Sequence, residues 1–122
     1  MTPRTLSITP ERLSAVYEML HAFAPFNRWS LPRAAEVRFV VSRARGHQAL
    51  WWVDGGRHHI EISARKHSHL ASLVESMAHE MIHAKQRATG TETKGVEHNA
   101  EFRRLSAMVC RRFGFDEGQF FG

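Results

Sequence analysis

The chain has 122 residues, 43% of them apolar and 24% charged, a length for one hydrophobic core and a composition that excludes wholesale disorder, collagen-like repeats and long coiled coils. Seventeen Lys+Arg against twelve Asp+Glu leave +5, and fourteen of the cations are Arg, the side chain suited to bidentate pairing with phosphates or carboxylates; nucleic acid is an expected partner, with a merely solubilising charge as the competing explanation. No apolar run reaches the roughly 18 residues that cross a bilayer, the N-terminus lacks a secretory apolar stretch, and one cysteine allows no internal disulfide, so a cytoplasmic protein without a membrane partner is expected, its oligomeric state unspecified.

Taken in chain order, Thr9 before Pro10 and Glu11 is a helix start, with a hydroxyl cap, a proline at the first helical position and an acid in the first turn. Leu13, Val16, Tyr17, Leu20 and Phe23 follow at helical spacing, and Pro25 ends the helix. Residues 36–42 alternate as a half-buried strand. Residues 49–53 and 58–63 flank Asp54-Gly55-Gly56, a strong hairpin signal because glycine tolerates positive φ. One mainly antiparallel sheet of three strands is expected. From Ser68 to Thr89 the pattern is helical again, with its cap near Ser68, a buried stripe of Leu70, Leu73, Val74, Met77, Met81 and Ile82, and Gly90 as the stop. The last helix, over 99–113, buries Phe102, Leu105, Met108, Val109 and Phe113 and closes at Gly114. No repeat or linker divides the chain, so 1–122 reads as one α+β domain.

The chemistry is concentrated in His79-Glu80-Met81-Ile82-His83. Four residues are just over one helical turn, so His79 and His83 share a face and both imidazoles can reach one Zn²⁺. Glu80 points beside the metal, placed to take a proton from water and pass it to a leaving amine. A catalytic zinc needs a third protein ligand. His98, after a loop and at the start of the next helix, is the best candidate; Glu97 and Glu101 compete, and Glu101 can instead support His98 as an outer partner. A metzincin would require Gly at 86 and His at 89, where this chain has Gln86 and Thr89.

Phe23, Phe26-Asn27, the Gly55-Gly56 hairpin, the run Leu73-Val74-Glu75-Ser76-Met77-Ala78-His79-Glu80-Met81-Ile82-His83-Ala84 and Glu97-His98-Asn99-Ala100-Glu101-Phe102 together resemble the SprT-like metalloprotease domain, also found in Spartan proteases, over residues 10–113. The resemblance implies a minimal zincin-like fold, zinc held by His79, His83 and His98, Glu80 as catalytic base, and proteolysis of proteins bound to DNA. Asn99 stands where that family usually has Gly, and the zinc ribbon that follows the domain in many members cannot be built from one cysteine. A protein or peptide substrate is expected. The alternative is a non-catalytic basic nucleic-acid-binding or adaptor domain with a structural zinc.

The remaining conspicuous residues read more plainly. His58 and His59 are adjacent on a strand and so face opposite ways, as sheet residues do; His67 and His69 are expected at the surface. Trp51-Trp52 puts one ring inward and one outward, and Tyr17 belongs to the core. Cys110 is expected to be inert. Arg103, Arg104, Arg111 and Arg112 recur on the last helix as possible nucleic-acid contacts, against a solvated face as the alternative. An extended peptide would add to a sheet edge, for which the 58–63 strand is the expected one because it directly precedes the metal helix.

Overall fold

The computed structural model describes residues 7–67 and 69–121, and the backbone alone of Gln119 and Phe121; the N-terminal segment 1–6 and the expected cap Ser68 lie outside the described residues. In chain order the elements are α1 (Pro10–His21), β1 (Val37–Ser42), β2 (Ala49–Asp54), β3 (Arg57–Ser63), α2 (Leu70–Thr89), α3 (Ala100–Phe113) and α4 (Glu117–Phe121). The class is α+β. Among the described residues, no helix is long and apolar enough to cross a membrane.

α1 forms as its sequence dictates: Thr9 Oγ1 accepts the Arg12 N–H at 3.2 Å, and Leu13, Val16, Tyr17 and Leu20 are buried. It stops at His21, short of Pro25, so Phe23 leaves the stripe and is 48% exposed, its ring edge-on to Phe113. Tyr17 is core, as expected, and its hydroxyl donates to the Pro32 carbonyl at 2.5 Å.

The sheet corrects the expectation of mainly antiparallel pairing. Its order is β1-β3-β2, with β1 parallel to β3 and β2 antiparallel to it. The cause is the connection 43–48, which does not turn back as a hairpin but passes over the end of β3. Ser63 holds it there: its N–H donates to Gln48 O at 2.9 Å and its Oγ to Ala44 O at 2.6 Å. The β2–β3 hairpin is as predicted, with a two-residue turn at Gly55 (φ 58°) and Gly56 (φ 77°), the backbone of a type I′ turn that glycine adopts without strain. β3 is consequently the central strand, with both edges paired, and cannot take up a peptide; the open edges belong to β1 and β2.

α2 crosses the inner face of the sheet with Leu73, Met77, Met81 and Ile82 buried, and Gly90 ends it in the left-handed region. Leu70, expected in this stripe, is 57% exposed because it is the first helical residue, ahead of the turns that pack on the core. On α3, Phe102, Leu105 and Val109 are buried, whereas Met108 is 38% exposed beside Arg104, whose Nη1 lies 3.8 Å from its sulphur. The sequence predicts no element beyond Gly114, yet α4 forms there. That short helix is anchored by stacked rings, Phe115 lying 5.7 Å from Phe113 on one side and 5.7 Å from Phe120 on the other.

Candidate metal centre

Three imidazoles from two elements converge at one point. His79 and His83 stand one turn apart on α2, and the loop that follows brings His98 over them. One ring nitrogen from each lies within 4.8 Å of the other two. His98 Nε2 is 3.1 Å from His79 Nε2, close to the spacing of about 3.3 Å that two nitrogens have around a tetrahedral zinc with bonds of about 2.05 Å. The donor set therefore fits a divalent cation, and among the described residues it is the one such group.

The floor of the site is Phe102. Its ring is fully buried and packs against all three imidazoles, with centroids 4.9 Å from His79, 4.5 Å from His83 and 4.4 Å from His98. A dry floor explains the electrostatics. Burial holds His79 down to about 4 and His83 down to about 3, with the neighbouring imidazoles adding to the effect, so both rings are neutral at pH 7 and keep lone pairs for a metal.

His79 owes its orientation to a residue the sequence reading did not reach. Its Nδ1 lies 3.0 Å from the Phe120 carbonyl oxygen, which can only accept, so Nδ1 carries the hydrogen and Nε2 faces the cluster. The Phe120 side chain is buried against the same ring. The signal that could have found it is the apolar pair Phe120-Phe121 behind Asp116-Glu117, a short amphipathic segment after Gly114. Removing residues 115–122 is expected to weaken zinc binding about 10- to 100-fold, the cost of losing an outer hydrogen-bond partner; competition with a chromophoric chelator measures it.

His98 is positioned by Asn99, the residue that departs from the resembled pattern. Asn99 has φ −78°, so the backbone here needs no glycine. Its side chain uses its full capacity of four hydrogen bonds: Oδ1 accepts from the Phe102 N–H and from Gln86 Nε2, both at 2.9 Å, while Nδ2 donates to Thr91 O at 2.8 Å and to Thr93 Oγ1 at 2.9 Å. Buried Gln86, whose identity excludes the metzincin pattern, is thus the anchor that ties the end of α2 to the loop carrying the third histidine.

Glu80 is 7% exposed and sits next to the cluster without belonging to it. Burial pushes its carboxyl up to about 8; the Glu97 carboxylate adds to this and the Trp51 backbone amide offsets part of it. Glu97 itself is exposed, 4.0 Å from His98 Nε2 and outside the three-nitrogen group. Glu101 does not support His98: its carboxylate is held by Arg104 across one helical turn, through Nε at 3.1 Å and through Nη2. A helical Glu with an Arg three residues on has its partner at hand.

Two cavities flank the histidines. The larger, about 470 Å³, lies between the 46–50 segment and α2, lined among others by Ser76, His79, His98 and Phe120. The smaller, about 200 Å³, is lined by Ala49, Leu50, Trp51, Glu80 and His83. Both run beneath the free edge of β2, so that strand, and not β3, faces the site.

Elsewhere the expectations divide. Trp51 packs inward, edge-on to His58 at 5.2 Å, and Trp52 stacks on His59 at 5.0 Å on the opposite face; neither histidine joins a metal group. His67 is not at the surface. It is 2% exposed, wedged between the Ser63 carbonyl and Ser76. Cys110 is buried, and burial together with Glu117, Glu75 and Asp116 pushes its thiol up to about 11, which leaves it protonated and inert at neutral pH. Arg103, Arg104, Arg111 and Arg112 are all exposed. Arg112 and Arg28 border a groove of about 360 Å³ floored by Pro25, Trp29 and Met108.

In comparisons with known proteins, no family model and no curated protein matches the chain.

Proposed function

We propose that the chain is a zinc-dependent endopeptidase of the SprT-like type with a minimal zincin-like fold, acting on proteins associated with DNA. The observation that carries the proposal is the cluster His79, His83 and His98 with the buried Glu80 carboxyl beside it and a cleft of about 470 Å³ opening onto it. The three histidines would hold the ion through three nitrogens, the donor number of a catalytic rather than a structural zinc. Zinc in such a setting polarises a substrate carbonyl and brings the pKa of water towards neutrality.

The chain's own residues supply the rest. Glu80 takes a proton at its carboxylate and returns it to the leaving amine; burial raises this carboxyl in the metal-free chain, and a cation held by the neighbouring histidines would favour the ionised form that takes the proton. Phe102 keeps water from the inner side of the imidazoles. The unpaired edge of β2 offers backbone groups to an extended peptide, which would lie as an added strand along both cavities. Metal analysis is expected to give one zinc per chain, and a casein digest is expected to proceed with zinc and stop on chelation; a folded, zinc-loaded chain that cleaves no protein with or without single-stranded DNA overturns the reading.

The competing reading, a non-catalytic nucleic-acid-binding or adaptor domain with structural zinc, draws on the charge of +5 and on the Arg28–Arg112 groove. It requires an enclosed ion, whereas the cleft reaches the ligands. The two agree on one point: these arginines contact phosphates. Arg28→Gln with Arg112→Gln is expected to weaken single-stranded DNA binding and to reduce the slope of log affinity against log salt by about 1.4, roughly 0.7 for each phosphate left without its arginine; anisotropy titrations at several salt concentrations measure this.

A further inference from the structure

We propose that Ser76 is a substrate-binding residue of the cleft, the acceptor for a backbone N–H of the bound peptide, and that buried His67 fixes it in that role; the inference rests on the endopeptidase reading. Ser76 lies three and four residues before His79 and Glu80 on α2, on the same helical face. It lines the larger cavity together with His79, His98 and Phe120.

The polarity of its hydroxyl follows from a chain of hydrogen bonds that starts in the sheet. Ser63, at the end of β3, is tied to the 43–48 connection by its N–H and its Oγ. Its carbonyl oxygen lies 2.8 Å from His67 Nδ1. A carbonyl only accepts, so Nδ1 carries the hydrogen, and in that tautomer Nε2 is the acceptor. Ser76 Oγ, 2.7 Å from that Nε2, must give it its one hydrogen. What Ser76 has left to offer the cleft is lone pairs. Ser72, one turn earlier on the same line, likewise spends its hydrogen on the His69 carbonyl at 2.8 Å, and the intervening Glu75 carries a carboxyl group.

This wall of α2 therefore presents acceptors and complements N–H groups. In an extended peptide paired with the free edge of β2, backbone groups alternate in direction, and those turned away from the strand include N–H groups that need an acceptor. Ser76 supplies one from a position one turn from the metal ligand His79.

The test uses the zinc-loaded Glu80→Gln protein, which holds a peptide without cleaving it, and a synthetic casein peptide scanned by single N-methylation, with affinity read by calorimetry. Ser76→Ala is expected to weaken the peptide about 5- to 10-fold, one hydrogen bond's worth, and Ser76→Thr to restore it. N-methylation at one position should cost the Ser76 protein a similar factor and the Ser76→Ala protein nothing further. Because Ser76→Ala also orphans His67 Nε2, Ser76→Cys is the second variant: its S–H still donates to His67 while sulphur is a poor acceptor, so folding is kept and affinity falls. Unchanged affinity in both Ala and Cys variants, or equal N-methylation costs with and without Ser76, overturns the inference alone. Failure of the Glu80→Gln protein to bind the peptide at all overturns the endopeptidase reading with it.

Discussion

Glu80→Gln is expected to leave zinc bound at one per chain and to slow peptide hydrolysis by 10²–10⁴-fold, the usual contribution of a positioned general base. The amide has the volume of the carboxyl and cannot take a proton. A second outcome separates this substitution from a general loss of structure. In the metal-free protein the Glu80 carboxyl is raised to about 8 from 4.5 in the unfolded chain. Between those values the folded state holds a proton that the unfolded state has released, so stability falls as pH rises from 4.5 to 8, by an amount on the order of 4 kcal/mol at the upper end. His79 and His83 act in the opposite sense: held at about 4 and about 3, they add stability above 6.5 that is lost as pH falls towards 4 and below. Metal-free Glu80→Gln should lack only the alkaline loss. Its melting temperature should exceed that of the unsubstituted chain at pH 8 and match it at pH 4. A variant that cleaves casein at the original rate removes Glu80 from the mechanism.

Phe102→Ala is expected to cost about 3–5 kcal/mol of stability, the range for deleting a buried aromatic ring, and to lower zinc affinity by more than the 10- to 100-fold that follows loss of an outer partner. Both effects have one cause. The ring touches all three imidazoles, so its removal opens a cavity under the site and frees each ligand to turn. His98→Ala supplies the contrast: a half-buried ligand at the cluster's rim is lost, and zinc affinity falls while the metal-free melting temperature changes little. Thermal melts and chelator competition on the two variants separate packing from coordination. Equal zinc affinity in Phe102→Ala and the unsubstituted chain would mean that the histidines hold their geometry without a floor.

The elements that were legible in the sequence are those fixed by short-range chemistry. The Thr9-Pro10 start, the Gly55-Gly56 turn, the stops at Gly90 and Gly114 and the one-turn spacing of His79 and His83 each depend on neighbours within a few residues. What escaped depends on partners far along the chain. The parallel pairing of β1 with β3 follows from the path of the 43–48 connection, which Ser63 holds through its hydrogen bonds to Ala44 and Gln48 and which no alternation pattern records. His67 is polar and adjacent to a charged stretch, so its burial becomes visible only once Ser63 and Ser76 are brought to its two nitrogens. Asn99 stands out in the sequence as a departure, but its purpose is visible only with Gln86, Thr91 and Thr93 in place around it.

The hydrogen bond from His79 to the Phe120 carbonyl spans 41 residues. On a ribosome, the helix bearing His79 and His83 emerges well before the segment that locks the first of those rings, so a nascent chain exposes an unfinished chelate. Full-strength zinc capture then awaits the arrival of α4, and the hydrolytic activity proposed for this chain is withheld until its synthesis has passed the last groups that shape the centre.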